Sequence, residues 1–169
     1  MSKIVIVAGS NNKNLALAND FKDYFTKNNI ESEILDLVSM DIPLYTPIEE
    51  AKGIPKSVFE QKEIFDKADG FVFAIPEYNG GIPPVVTSLL AWISRSGDEN
   101  WRASFNGKPA ALSSFSGSGG FQMLISLRTQ LSYLGFNTIG RQVRATYKEE
   151  LKASDVEAVG RLLLDGLQR

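Results

Sequence analysis

The stretch GFVFAIPEYNGGIPPVVTSLLAWISRS, residues 70–96, decides the fold. Gly70 to Ile75 are apolar without alternation, as a strand covered on both faces requires. Pro83 and Pro84 then open an apolar helix. Between strand and helix stands PEYNGG: a carboxylate, a phenol ring, an amide and two glycines where a short connection would suffice. An Asn-Gly hairpin turn is one account. It fits poorly, because the strand leads into a helix and not into a second strand. A floor for a flat polar ligand is the other account. Gly80 and Gly81 let backbone approach a ligand closely. Their N–H groups can donate to a ring edge, Tyr78 can wall the ring, and Glu77 can cap or orient the loop.

The same strand-then-helix alternation runs along the chain. KIVIVAG (3–9) is a buried strand, and NLALANDFKDYFTKNN places Leu15, Ala18, Phe21 and Phe25 at helical spacing. ESEILDL is a second strand. Residues 38–54, with Pro43 and Pro47, read as a long loop. PKSVFEQKEIFDKAD is a helix with Pro55 near its start and Val58, Ile64 and Phe65 inward. Gly70 to Ile75 is the third strand and KPAALSSF the fourth. FQMLISLRTQLSYLG is a helix stopped by Gly135. FNTIGRQVRATY contains the fifth strand, and ASDVEAVGRLLLDGLQR is a closing helix capped by Ser154 or Asp155. Five strands alternating with five helices predict one α/β domain over residues 1–169, a three-layer sandwich with a parallel sheet. Right-handed crossovers favour the order 2-1-3-4-5, with a ligand crevice at the carboxyl ends of strands 1 and 3.

Composition narrows the chemistry. At 169 residues, 43% hydrophobic and 22% charged, the chain suits a single globular core. The net charge of -2 shows no basic stripe for nucleic acid and no polybasic cluster for a membrane. No apolar run approaches a membrane span, and the start reads as a strand and not a signal peptide. There is no cysteine, so a cytoplasmic address is the expectation. There is no histidine either. Ser-His-Asp and Cys-His nucleophile systems and histidine metal sites are excluded. An enzyme of this composition works through Lys, Tyr or carboxylates, or lets a cofactor carry the chemistry.

Two further loops fall at the same sheet edge as PEYNGG. GSNNKN (9–14) follows strand 1 and opens a helix. Ser10, Asn11, Asn12 and Asn14, the free helix-start amides and the charge of Lys13 suit a phosphate. A plain N-cap turn uses the same residues, so this loop alone stays open. SSFSGSGG (113–120) follows strand 4, and Gly119 and Gly120 stand at a helix N-terminus. A flexible linker is out of place between a buried strand and an apolar helix, so a second ring or nucleotide contact is expected. In the helix after PEYNGG, Val85, Val86, Leu89, Leu90, Trp92 and Ile93 cover more than one face. That makes it core on two sides or partly an oligomer surface, with Trp92 packing. The polar loop SRSGDENWRASFNG reads as a lid, a partner arm or a surface excursion.

These residues resemble the NADPH-dependent FMN reductases of flavodoxin-like fold, a group that includes quinone, azo-dye and chromate reductases. PEYNGGIPPVVTSLLAWISR is similar to that family's P-E-Y-N-[GS]-x-[IP]-P stretch and its helix ending W-[LI]-S-R. AGSNNKNLALA resembles the family's phosphate loop, and SGSGG its glycine-rich segment after strand 4. The resemblance implies that Ser10, Asn11, Lys13 and Asn14 hold the FMN phosphate. It implies that Pro76, Glu77, Tyr78, Asn79, Gly80 and Gly81 line the isoalloxazine. It places Ser114, Ser116, Gly117 and Gly119 along the outer side, where nicotinamide or acceptor docks. It implies no catalytic side chain and no metal, NADPH or NADH as co-substrate, a small molecule as acceptor, and a homodimer or homotetramer as the assembly.

The chain departs from the family in places. The first loop is shortened and keeps one cation, Lys13, where the family carries arginine and a second serine. Thr87, Ser88 and Ala91 stand where Lys, Asn and Asp are frequent. The implied reaction passes hydride from the nicotinamide to the flavin and on to the acceptor, with ping-pong kinetics. An acidic flavodoxin-type electron carrier and a flavin-free nucleotide enzyme are the rival readings. Arg95 and Arg102 are candidates to contact a dinucleotide, with surface salt bridges as their other reading.

Overall fold

A computed structural model describes residues 2–97 and 99–168. Met1, Arg169 at the end of the expected last helix, and Asp98 in the expected polar loop lie outside the described residues. The sheet is built from β1 (Lys3–Ala8), β2 (Glu31–Asp36), β3 (Gly70–Ala74), β4 (Pro109–Phe115), β5 (Asn137–Thr138) and β6 (Val143–Ala145). The helices are α1 (Lys13–Lys27), α2 (Pro47–Glu50), α3 (Lys56–Lys67), α4 (Pro84–Arg95), α5 (Phe121–Leu134) and α6 (Ala153–Leu167). The order is β2-β1-β3-β4-β5, with β6 also beside β4 and every pairing parallel. This is the expected flavodoxin-like sandwich.

The apolar strands divide their side chains between two cores. Val5, Val7, Phe71 and Phe73 face α3, α4 and α5, against Phe65, Leu89, Met123 and Leu127. Ile4, Ile6, Val72 and Ala74 face α1 and α6, against Leu17, Phe21, Val159 and Leu163. Alternation is invisible in the sequence because both faces are covered. Each fully buried Phe or Ile stabilises the fold by roughly 1.5–3 kcal/mol, so this core fixes the strand ends that carry the loops.

Four expectations are corrected by the structure. The fifth strand is two short pieces: Ile139 N–H still donates to Ala110 O at 2.8 Å, but the chain then leaves the sheet and Arg128 takes the carbonyls of Ile139 at 2.8 Å and Gly140 at 3.3 Å. The long loop contains α2, capped by Thr46, whose hydroxyl accepts from Glu49 N. The last helix starts at Ala153 with Lys152 as cap. Asp155 sits in its first turn, where a carboxylate complements the helix dipole, and binds Arg141 at 3.0 Å. The fourth concerns residues 96–108, which join α4 to the start of β4 and so lie at the amino edge. Ser104 there donates to Asp66 Oδ1 at 2.6 Å and Phe105 is buried. Ser104 and Phe105 anchor the segment at that edge while Gly97, Glu99, Asn100, Ala103, Asn106 and Gly107 are exposed, so of its three readings the lid over the opposite edge is removed.

The helix after PEYNGG sends Val86, Leu89, Leu90 and Ile93 into the core. Trp92 is fully buried, and its Nε1 donates to Pro43 O at 2.7 Å. Ser88 Oγ accepts from Tyr45 N at 2.8 Å. Residues 43–45 therefore strap the outer side of α4.

Candidate functional site

In a parallel sheet the connections leaving the carboxyl ends share one edge. The segments 9–12, 75–83 and 116–120, after β1, β3 and β4, meet there. Gly9 N–H donates to Ala74 O at 3.0 Å, so the first segment starts as a continuation of the β1–β3 ladder. A β-carbon on Gly9 would stand 2.9 Å from Ile75 Cδ1, so a larger residue there would have to push the Ile75 side chain aside.

The four residues expected at a phosphate divide into two pairs. Ser10 and Asn14 are buried. Asn14 Nδ2 donates to Phe115 O at 2.9 Å, and Asn14 Oδ1 accepts from Phe115 N at 2.9 Å. Ser10 Oγ lies 3.4 Å from the same Nδ2. Asn14 thus splices α1 to the end of β4 and supports the loop from below. Asn11 and Lys13 are exposed. Lys13 Nζ lies over the Phe115 ring, 5.4 Å from its centre. No side chain caps α1, so the amides of its first turn are left to be met from outside the helix.

PEYNGG contains the turn that the sequence argued against. Tyr78 and Gly81 exchange two backbone bonds, N to O at 3.1 Å and 2.9 Å. Asn79 and Gly80 both have positive φ, 52° and 79°, as the tight Asn-Gly turn requires. The loop is both a turn and a platform. The turn sits between a strand and a helix because it closes inside the connection, without a second strand. It also consumes the Gly81 N–H, which the sequence reading had offered to a ring. Tyr78 and Asn79 are exposed at the tip, and Pro76 is buried below.

The second and third segments are tied together. Glu77 N–H donates to Ser116 Oγ at 2.8 Å, and Ser118 Oγ donates to the Glu77 carboxylate at 2.6 Å. Ser114 and Ser116 hydroxyls lie 2.8 Å apart. Gly119 and Gly120 both have positive φ, 79° and 66°, and Gly119 N–H closes a turn on Ser116 O at 2.9 Å. A β-carbon on Gly120 would stand 2.8 Å from Ser114 Cβ. Gly117 is exposed.

Arg95 and Arg102 stand elsewhere. Arg95 closes α4 at the amino edge, over the Tyr45 ring at 4.4 Å and 3.7 Å from Glu50. Arg102 lies over Trp101 at 4.3 Å and Tyr133 at 5.4 Å. Neither joins the carboxyl-edge loops. A groove of about 510 Å³ between α4 and α5 and a cleft of about 750 Å³ beside β5 and α6 also lie away from them.

The model of the NADPH-dependent FMN reductases matches residues 2–150. The chain belongs to that family. A stretch of 71 residues is 38% identical to an NAD(P)H-dependent FMN reductase of Pseudomonas aeruginosa, covering 42% of this chain and 36% of that one. Another of 97 residues is 34% identical to a quinone reductase of Escherichia coli, covering 56% and 50%. These matches span only about a third to a half of those relatives' lengths. FerB, a flavoenzyme NAD(P)H:(acceptor) oxidoreductase of Paracoccus denitrificans, superposes with a TM-score of 0.81 over 99% of this chain and 98% of its own, at 19% identity. At that identity the likeness is one of fold.

The edge of this FMN reductase family member fits the cofactor its family is named for. Uncapped helix amides, a buried glycine turn, hydroxyls and an exposed tyrosine ring converge there. Two residues of the edge stood outside the sequence reading. Ser118 was legible within SGSGG but not distinguishable from its neighbours. Phe115 takes Asn14, Lys13 and the Tyr147 ring, 5.1 Å away, and nothing local in the sequence marks it.

Proposed function

We propose that the chain is an FMN-dependent NAD(P)H oxidoreductase that passes reducing equivalents to a small acceptor: a quinone, a free flavin, an azo compound or a metal oxyanion. The observation that carries this reading is the pair of bonds at Glu77, whose N–H donates to Ser116 Oγ and whose carboxylate accepts from Ser118 Oγ. They hold the ring-facing segments together as one preformed surface beside an uncapped helix start. Bound FMN would supply the redox chemistry. The chain supplies position. Asn11, Lys13, Ser10 and the first amides of α1 hold the phosphate, while Asn14 fixes that helix start to β4. Pro76, Glu77, Tyr78, Asn79, Gly80 and Gly81 form the floor, and Ser116, Gly117 and Gly119 border the side where donor and acceptor alternate, with Ser114 buried beneath them and bonded to Ser116.

Among the described residues no helix is long and apolar enough to cross a membrane. A cytoplasmic homodimer or homotetramer acting on small molecules, without nucleic acid or membrane, completes the reading. The test is the visible spectrum of the purified protein with and without added FMN, followed by NADH and NADPH oxidation with a panel of acceptors. Flavin bands and donor oxidation support the reductase. Flavin without donor oxidation turns the reading to an electron carrier, and no flavin retention turns it to a flavin-free enzyme.

A further inference from the structure

We propose that Arg144 recognises a phosphate monoester on the incoming donor, and so selects NADPH over NADH. This rests on the reductase reading above. Arg144 lies on β6 and pairs in register with Ser114 of β4. Its Nε donates to Gly119 O at 2.9 Å, and its guanidinium lies over the Phe121 ring, 5.3 Å from the centre. A β-carbon on Gly119 would stand 2.7 Å from Nη2. The absent side chain at Gly119 therefore makes room for the edge of the guanidinium that carries Nε and Nη2.

That arrangement uses one edge of the fork and leaves the other. Among the described residues no carboxylate forms an ion pair with Arg144, and Nη1 makes no hydrogen bond. Arg95 and Arg141 meet acids, and Arg128 turns its guanidinium to the carbonyls of Ile139 and Gly140. The end-on Nη1–Nη2 edge is thus exposed beside the segment 116–120, with Nε tied to Gly119 O and the guanidinium over Phe121. Its two parallel donors match two oxygens of a phosphate.

The donor is favoured over the cofactor by position. Lys13 and Asn14 meet Phe115 on the α1 side of β4. Arg144 pairs with Ser114, the adjacent residue that points to the opposite face. The FMN phosphate is assigned to the α1 side. A second fixed cation on the α5 side serves a second phosphate monoester, and that group is what distinguishes NADPH from NADH.

The test uses the FMN-loaded protein and its R144Q and R144K variants. Calorimetric titration with adenosine 2′,5′-bisphosphate and with 5′-AMP reads the contact without turnover. In R144Q the affinity ratio of bisphosphate to AMP falls by roughly tenfold or more, as loss of hydrogen bonds to a charged group implies. The ratio of KM for NADPH to KM for NADH rises by a similar factor, and R144K recovers part of both. An unchanged ratio, with both ligands weakened equally or not at all, overturns the proposal and leaves Arg144 as a brace of the loop. So does a selective loss of FMN affinity relative to riboflavin, which would assign Arg144 to the cofactor. Wild-type protein that oxidises neither donor defeats the reductase reading, whereas the titration still reports on Arg144.

Discussion

The side chain of Asn14 forms both of its backbone hydrogen bonds with one residue, Phe115, 101 positions later in the chain. An amide side chain here imitates a neighbouring strand: it donates to the carbonyl and accepts from the N–H of the same residue. Asn14→Ala leaves two part-buried backbone groups of Phe115 without this partner, at about 1–3 kcal/mol each before relaxation and solvation. A net loss of about 2–3 kcal/mol is expected, lowering Tm by roughly 4–12 °C for a chain of this size. Asn14→Asp should be no milder, because it sets an acceptor against Phe115 O. Thermal melts of the two variants check this, and an Asp variant as stable as wild type would refute the donor role.

Gly120 has no room for a side chain. Its φ of 66° and the 2.8 Å approach to Ser114 Cβ both resist a β-carbon. Gly120→Ala is expected to cost about 1–3 kcal/mol. Because the clash lies on Ser114, FMN affinity measured by fluorescence quenching should fall with it. Unaltered flavin binding would separate this segment from the site.

The bond between Ser118 and Glu77 offers a cleaner probe. Both groups are partly solvated, so Ser118→Ala should cost about 1 kcal/mol or less in stability. The segments after β3 and β4 would nevertheless lose their tie, and FMN should dissociate several-fold faster. Glu77→Gln keeps an acceptor for Ser118 and should be milder. If Ser118→Ala releases flavin at the wild-type rate and Glu77→Gln releases it faster, the carboxylate charge matters and the bond does not. Stopped-flow dilution reads both.

Asp66 predicts a pH response of the fold. Burial pushes its pKa up, but bonds from Lys62 and Ser104 and the charges of Lys62 and Lys108 outweigh this and hold it below the usual 3.8. A depressed carboxylate pKa contributes stability that is complete above the unfolded value and lost as pH falls through the folded one. The Tm difference between wild type and Asp66→Asn should therefore be constant above about pH 4 and shrink below it. A difference independent of pH down to acid unfolding would deny the ionised form its role.

Much of this was open to sequence reasoning, for reasons that specific residues make plain. The apolar runs of β1, β3 and β4 sit on both cores, and Pro84 and Gly135 mark helix ends in the positions expected of them. The sheet order followed. Errors gathered where a local signal had two readings. Asn79-Gly80 looked unlike a hairpin because no second strand follows, yet the turn closes within the loop. Thr46, Pro47 and Glu49 carried a capping signal inside what read as loop. The splice of Asn14 to Phe115 and the stacking of Arg144 on Phe121 depend on residues brought together only by the sheet. No window of sequence contains them, which is why Asn14 looked like a ligand and Arg144 like nothing at all.

The broken outer strand has a consequence of its own. A parallel sheet exposes a row of unpaired amides along its last strand, and such rows recruit other chains. Here β5 contributes two residues and β6 three, separated by four that turn away to meet Arg128. A stray strand finds no unbroken stretch on which to register. The interruption at 139–142, held by Arg128 from the neighbouring helix, guards this margin against edge-to-edge aggregation without a proline.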